Sequence, residues 1–321
     1  MAKFALPLES KIYVAGHRGM VGSAIVRKLE SEGYKNLVTK TSGELDLRSR
    51  PEVFEFFSEA KPDVVFLAAA RVGGILANDT YPADFLSDNL LIQLNVMDAS
   101  HAHGVNRLVF LGSSCIYPKF AEQPIKEDSL MTGKLEETND AYAVAKIAGI
   151  QQVKSMRKQH GHHWISLMPS NLYGPGDNYD PKGSHVLPAL IRRYFEAKLR
   201  GEKSVTNWGS GKPLREFLYV DDLADACLYF LQNYDGAEHL NVGSGTDLSI
   251  SSLAELVAQK VGYEGETSWD QTKPDGTPRK LLDVTRANAL GWEARTGLEE
   301  GIALAVRDFE ARFGSELKSH K

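Results

Sequence analysis

Only two cysteines occur in the 321 residues, too few and too far apart for the disulfide framework of a small secreted fold. A reducing, cytoplasmic setting is therefore expected. Long apolar runs are also missing. Nowhere does the chain approach the roughly 20 consecutive apolar residues of a bilayer-spanning helix, and no membrane partner is expected. The opening stretch MAKFALPLESK places Glu9 close behind a very short apolar run and lacks the charged, apolar and small-residue regions of a secretion signal. Positive charge is in deficit, with 37 Lys and Arg against 42 Asp and Glu and a net charge of −5. That balance argues against a general nucleic-acid binder and confines any anion site to a local pocket. His160, His162 and His163 in HGHHW have no acid or cysteine beside them, so a polar loop is expected there and no metal site. Internal repeats of solenoid length and low-complexity segments are absent.

What is present is an average globular composition, 42% apolar and 25% charged, in a chain long enough for two intimate domains. The first half alternates strand-like and helix-like segments: KIYVA, MVGSAIVRKLES, NLVTK, PEVFEFFSEA, DVVFLAAA, FLSDNLLIQLNVMDASHAHG and RLVFLGSS. Its strands are continuous apolar runs, as in a parallel sheet covered on both faces by helices. In the first helix Val21, Ile25 and Leu29 form one stripe, Pro51 suits a helix first turn, and Gly104 suits a helix stop. The expected fold is α/β, a doubly wound parallel (Rossmann) sheet with a smaller C-terminal α/β substrate domain. The boundary is expected where Gly, Pro and Asp crowd YGPGDNYDPKGSH. Residues 1–175 would bind a dinucleotide, with a return of the chain near 216–243, and residues 176–321 would mainly bind substrate. HVLPALIRRYFEAKLRG, VDDLADACLYFLQNY and SISSLAELVAQKVGY read as helices, while NWGSGKPLREF and KPDGTPRK read as binding loops.

GHRGMVG lies between a predicted strand and a predicted helix, so Gly16, Gly19 and Gly22 can form a tight turn against a pyrophosphate, with Met20 and Val21 opening the helix. An acid at the end of the second strand would select NAD over NADP. VTKT offers Lys40 instead, and Arg18 stands within the glycine loop; both favour NADP, although Glu44 is near in sequence and Lys40 could be a solvated charge. Asp46 is a candidate partner for the adenine amino group.

YAVAK sets Tyr142 and Lys146 four residues apart, on one helix face. The lysine is expected to lower the phenol's pKa, making Tyr142 a proton donor to a developing alkoxide in company with Ser113 at the end of RLVFLGSS. Cys115, in GSSCIYP, is by position alone a small buried residue; beside stabilisers of an enolate oxygen, a thiolate is also an adequate carbon base. Cys227, among Ala226, Leu228 and Phe230, reads as core.

With its glycine loop, Ser113, YAVAK and MPSNLYGP, the chain resembles the extended short-chain dehydrogenase/reductase family over nearly its whole length. The resemblance implies a catalytic set of Ser113, Tyr142 and Lys146. Lys146 would also hold the nicotinamide ribose, Pro169, Ser170, Asn171 and Leu172 would line the nicotinamide pocket, and Leu111, Gly112 and His185 would also bind the cofactor. AGHRGMVGSAI, GSSCIYP, NLYGP, SHVLPALIRR, WGSGKPLREF and KPDGTPRKLLDV are similar, in order, to motifs of family members that epimerise and reduce a GDP-4-keto-6-deoxyhexose. This likeness implies that Cys115 removes protons from C3 and C5 of the sugar while His185 supplies one from the opposite face. It also implies NADP as cofactor, a nucleotide-sugar substrate and a homodimer. Arg193, Arg215 and Lys280 are the candidate cations for the diphosphate. Trp208 would stack on guanine or close the core; Asp275 would bind hydroxyls or cap a turn. A related 4,6-dehydratase would be expected to carry an acidic pair near the serine, and SSCIYP has none. A non-catalytic regulator of the same fold would have no reason to keep Ser113, Cys115, Tyr142 and Lys146 together.

Overall fold

The computed structural model describes residues 4–319 except 182 and 274, with 318 and 319 described by backbone alone. Its centre is a six-stranded sheet ordered Leu37–Val38, Ile12–Ala15, Val64–Leu67, Arg107–Leu111, Ile165–Pro169 and Leu240–Val242. Every neighbouring pair is parallel. The runs IYVA, VVFL, RLVFL and ISLMP are buried at every position, as strands sandwiched between helix layers must be. Helices Met20–Ser31 and Val220–Asn233 cover one face through Ile25, Leu29, Leu223 and Phe230. Helices Arg50–Ala60, Pro82–Ala102 and Asp140–His160 cover the other through Val53, Phe57, Val96, Met97 and Val153.

The chain leaves Ile12–Ala15 for the edge strand Leu37–Val38, then crosses back to Val64–Leu67 on the other side. This reversal opens a crevice beyond the strand C-termini, the place where doubly wound sheets bind ligands. A third apolar core unites helices Val186–Arg200, Ile250–Val261 and Leu298–Ser319 around Tyr194, Leu253, Ile302 and Phe309. It packs with strand Leu214–Tyr219 and with the parallel pair Ser204–Trp208 and Glu266–Asp270. The stretch NWGSGKPLREF is thus only partly a loop, for one strand ends and another begins inside it. Among the described residues, no helix is long and apolar enough to cross a membrane, and no group of three or more His, Cys, Asp or Glu is arranged to hold a metal ion.

Candidate functional site

A cleft of about 1700 Å³ runs from the glycine loop to the C-terminal layers. At its sheet end Gly16 has φ +86°, and a Cβ there would lie 2.8 Å from the Ala69 backbone. A Cβ on Gly22 would stand 2.1 Å from the Gly16 carbonyl oxygen. Loop and strand therefore approach as only glycine permits. Gly19 precedes the helix with no side-chain cap and no acid in the first turn, and Gly19, Met20, Val21 and Gly22 all line the cleft. Uncapped amide groups and the positive end of the helix dipole fit the pyrophosphate of a dinucleotide.

Further along this end Lys40 is exposed on the cleft wall. Glu44 is folded back on its own turn, accepting from the Thr41 amide at 2.8 Å and the Thr41 hydroxyl at 2.6 Å. These bonds, and then Lys40 and Arg18, hold its carboxyl below the usual range. Arg18 is exposed and lies outside the residues lining the cleft. Asp46 lines the cleft but is gripped by Arg48 through Nε–Oδ1 and Nη2–Oδ2 contacts of 2.9 Å each.

Strand Arg107–Leu111 ends at Gly112, where a Cβ would lie 2.3 Å from Met168 Sδ, so the turn sits directly on the neighbouring strand. The Ser113 hydroxyl accepts from the Cys115 amide at 3.2 Å, capping the short turn Ser114–Ile116, and it favours ionisation of Tyr142. Lys146 is buried one helical turn beyond Tyr142 and donates to the Leu111 carbonyl at 3.0 Å. Its ammonium lies 5.8 Å from the centre of the Tyr142 ring, and burial brings its pKa down to about 8. The expected lowering of the tyrosine does not occur. Burial, and then the negative charge of Cys115, push Tyr142 above the ordinary phenol value, with only the Ser113 bond opposing. Lys146 is not among the causes acting on the phenol, so burial sets the direction of the shift. Tyr142 is consequently a neutral hydroxyl, able to donate.

Cys115 has the most specific surroundings. Lys280 Nζ and Asn139 Nδ2 each lie 3.4 Å from its sulfur. Burial pushes the thiol up, but Lys280 and the hydrogen bonds from Ser113, Lys280 and Asn139 outweigh it, and the net shift is downward. Cys227 is fully buried in the core, and burial raises it. His185 stands just before helix Val186–Arg200 on the open side of the cleft; desolvation, and then Lys280, lower its pKa. The expectation for Lys280 thus needs revision, since its contact is with the thiol of Cys115.

Arg193 and Arg215 occupy the far wall, half-buried. Arg193 Nη1 donates to Asn207 Oδ1 at 2.5 Å, and Arg215 Nη1 to the Leu214 carbonyl at 2.8 Å. Burial lowers both pKa values. Trp208 is 70% exposed, which removes the core-filling alternative. Asp275 is committed to Ser210, accepting from its amide at 2.6 Å and its hydroxyl at 2.7 Å, so the turn-capping alternative describes its contacts. Between the walls, Pro169, Ser170, Asn171 and Leu172 line the cleft, the Ser170 amide donating to Val242 at 3.0 Å and Asn171 Nδ2 to the Glu216 carbonyl at 2.7 Å.

Two features escaped the sequence reading. Asn139 at the sulfur carries no motif of its own. The loop 71–74 and the start of helix Ile75–Thr80 also line the cleft, and the Gly74 amide donates to the Gly183 carbonyl at 3.3 Å. Adjacent glycines, Gly73 and Gly74, two residues beyond the run FLAAA were the available signal, because they mark a turn at the crevice.

Fold and site together define a dinucleotide-dependent enzyme of the epimerase and oxidoreductase class. A model of the NAD dependent epimerase/dehydratase family matches residues 12–243, and the chain belongs to that family. It is 59% identical to GDP-L-fucose synthase 1 of Arabidopsis thaliana over 295 residues, covering 92% of this chain and 91% of that protein. It is 51% identical to GDP-L-fucose synthase of Escherichia coli (strain K12) over 310 residues, covering 94% and 97% respectively. The crystal structure of a GDP-L-fucose synthetase from Naegleria fowleri bound to NADP superimposes with a TM-score of 0.89 at 27% identity, over 98% of each chain.

Proposed function

We propose that this chain is a bifunctional 3,5-epimerase and NADPH-dependent 4-reductase that converts GDP-4-keto-6-deoxy-D-mannose to GDP-L-fucose. The observation that carries the reading is a lowered thiol placed beside a serine–tyrosine pair at the mouth of a dinucleotide crevice. The names of the 59% and 51% identical relatives support the same substrate. In this reading the Cys115 thiolate takes the proton from C3 or C5, and the electron pair moves to the C4 carbonyl oxygen, where Ser113 and Tyr142 donate hydrogen bonds. His185 returns a proton from the opposite face, inverting the centre. Bound NADPH supplies the hydride for C4. Tyr142 gives its proton to the resulting alkoxide, and Lys146 holds the nicotinamide ribose. Arg193 and Arg215 bind the diphosphate, with Trp208 exposed for stacking on guanine.

Lys40 on the cleft wall, with Glu44 turned back on Thr41, supports NADPH over NADH, whereas Arg18 lies outside the cleft lining and adds no support from its position. The division into a nucleotide half, 1–175, and a substrate half, 176–321, is part of the proposal. So is a homodimer, for which Leu91, Leu94 and Val144 remain exposed on the packed helices Pro82–Ala102 and Asp140–His160. The test is incubation of the purified protein with GDP-4-keto-6-deoxy-D-mannose and NADPH. GDP-L-fucose, identified by NMR, is the expected product. Oxidation of NADPH without inversion at C3 and C5 would reduce the function to that of a 4-reductase, and no turnover would remove the reading.

A further inference from the structure

We propose that Lys280 and Asn139 are positioning residues that hold the Cys115 sulfur as a thiolate, an inference that rests on reading Cys115 as the carbon base. Two donors meet one sulfur, each at 3.4 Å. A thiol is a weak acceptor, whereas a thiolate is a strong one, so this arrangement has its full value only with the proton gone. Among the described residues Lys280 has no carboxylate partner at ion-pair distance, and the other polar contacts beside it are made by its neighbours. Arg279 Nε donates to Asp247 at 2.6 Å, the Leu281 amide to Gln123 Oε1 at 2.9 Å, and the Leu282 amide to the buried carboxylate of Glu216 at 2.9 Å. Strand Arg279–Lys280 is paired in parallel with Leu214–Tyr219, with Lys280 opposite Arg215.

The backbone around Lys280 is therefore clamped on both sides, and the ammonium is aimed at the sulfur by the fold. Asn139 sits immediately before helix Asp140–His160, three residues ahead of Tyr142. The elements that set the proton donor and the base are thereby joined. Burial opposes ionisation of Cys115, and the downward net shift has Lys280 as its largest favourable cause.

The experiment measures alkylation of Cys115 by iodoacetamide as a function of pH, in the full-length protein without ligands, with the site assigned by mass spectrometry. Cys227 is fully buried and serves as the unreactive control. The wild-type midpoint should fall below that of a free thiol, about 8.5. Lys280→Met should raise it by about 1–3 pH units, the effect of removing an opposite charge at this range. Lys280→Arg should restore a low midpoint, and Asn139→Ala should give a smaller rise. If circular dichroism shows Lys280→Met to be unfolded, Lys280→Gln takes its place. An unshifted midpoint in the folded, uncharged variant overturns the proposal. A shifted midpoint with wild-type deuterium exchange at the sugar carbons upholds the thiolate pairing while removing the base role from Cys115, which separates the two readings.

Discussion

The sheet wall of the cleft and the wall built by the C-terminal layers hold their polar groups by different means. On the sheet wall, Gly16, Gly22 and Gly112 bring backbones closer than any Cβ would allow. Ser113, Tyr142 and Lys146 sit at the ends of long regular elements, and Lys146 is almost wholly buried. On the opposite wall, Arg193 and Arg215 are half-buried and Trp208 is exposed beside turn-forming residues. The contrast teaches where each task belongs. On the proposed reading, proton transfer, which needs geometry held to within about 0.5 Å, falls where packing over-determines position, and recognition of a diphosphate falls to longer, more adaptable side chains. Cys115 belongs to both walls, held from one by Ser113 and from the other by Lys280.

The largest effect should come from the sheet wall. Tyr142→Phe removes one hydroxyl from a helix that otherwise keeps its packing. NADPH oxidation with the keto-sugar should fall by about 10²–10⁴-fold, measured by absorbance with the fold checked by circular dichroism. Near-normal turnover would move the proton donor elsewhere. A smaller effect of a different kind is expected from the other wall. Arg215→Ala should raise KM for the nucleotide sugar by about 10–100-fold, the worth of one charge-assisted hydrogen bond, with kcat much less affected. A loss confined to kcat would contradict a binding role.

The third effect reverses sign. Burial lowers Lys146 from the ordinary 10.5 to about 8. Between these values the unfolded chain binds more protons than the folded one, so the stability of the ligand-free protein rises with pH across that window. Lys146→Met should abolish this rise and stabilise the ligand-free protein at neutral pH by on the order of 1–3 kcal/mol, because a desolvated charge has been removed. Reductase activity should be lost at the same time. Urea unfolding at pH 7 and pH 10 measures both points. A destabilised variant with an unchanged pH slope would mean that the ammonium is better solvated than its burial implies.

The same contrast explains what the sequence could disclose. The buried parallel strands announce themselves as apolar runs, and the helix read from MVGSAIVRKLES spans Met20–Ser31 in the structure. Strands Ser204–Trp208 and Glu266–Asp270 carry no such run. The first alternates exposed and buried positions with Ser, Thr and Asn among them, and its parallel pairing comes from tertiary packing. The C-terminal helix Leu298–Ser319 did have a legible stripe in Ile302, Ala305 and Phe309. At the site, motifs point to individual residues, but not to partners. Lys280 lies 165 positions from Cys115, and no local pattern couples them. Nor could the direction of the Tyr142 shift be read, since desolvation depends on what the finished core places around the phenol.

If one cleft performs proton removal and hydride transfer with separable groups, Cys115→Ser should divide the two reactions. The substitution nearly conserves volume but replaces an ionisable thiol with a hydroxyl that stays protonated at neutral pH, while Ser113, Tyr142 and Lys146 are untouched. The reaction is run in deuterated water and the product examined by NMR and mass spectrometry. Deuterium is expected at C3 and C5 of the wild-type product, and the mutant product should be reduced at C4 with little deuterium at either carbon. Normal deuterium incorporation and normal GDP-L-fucose formation by Cys115→Ser would contradict that division.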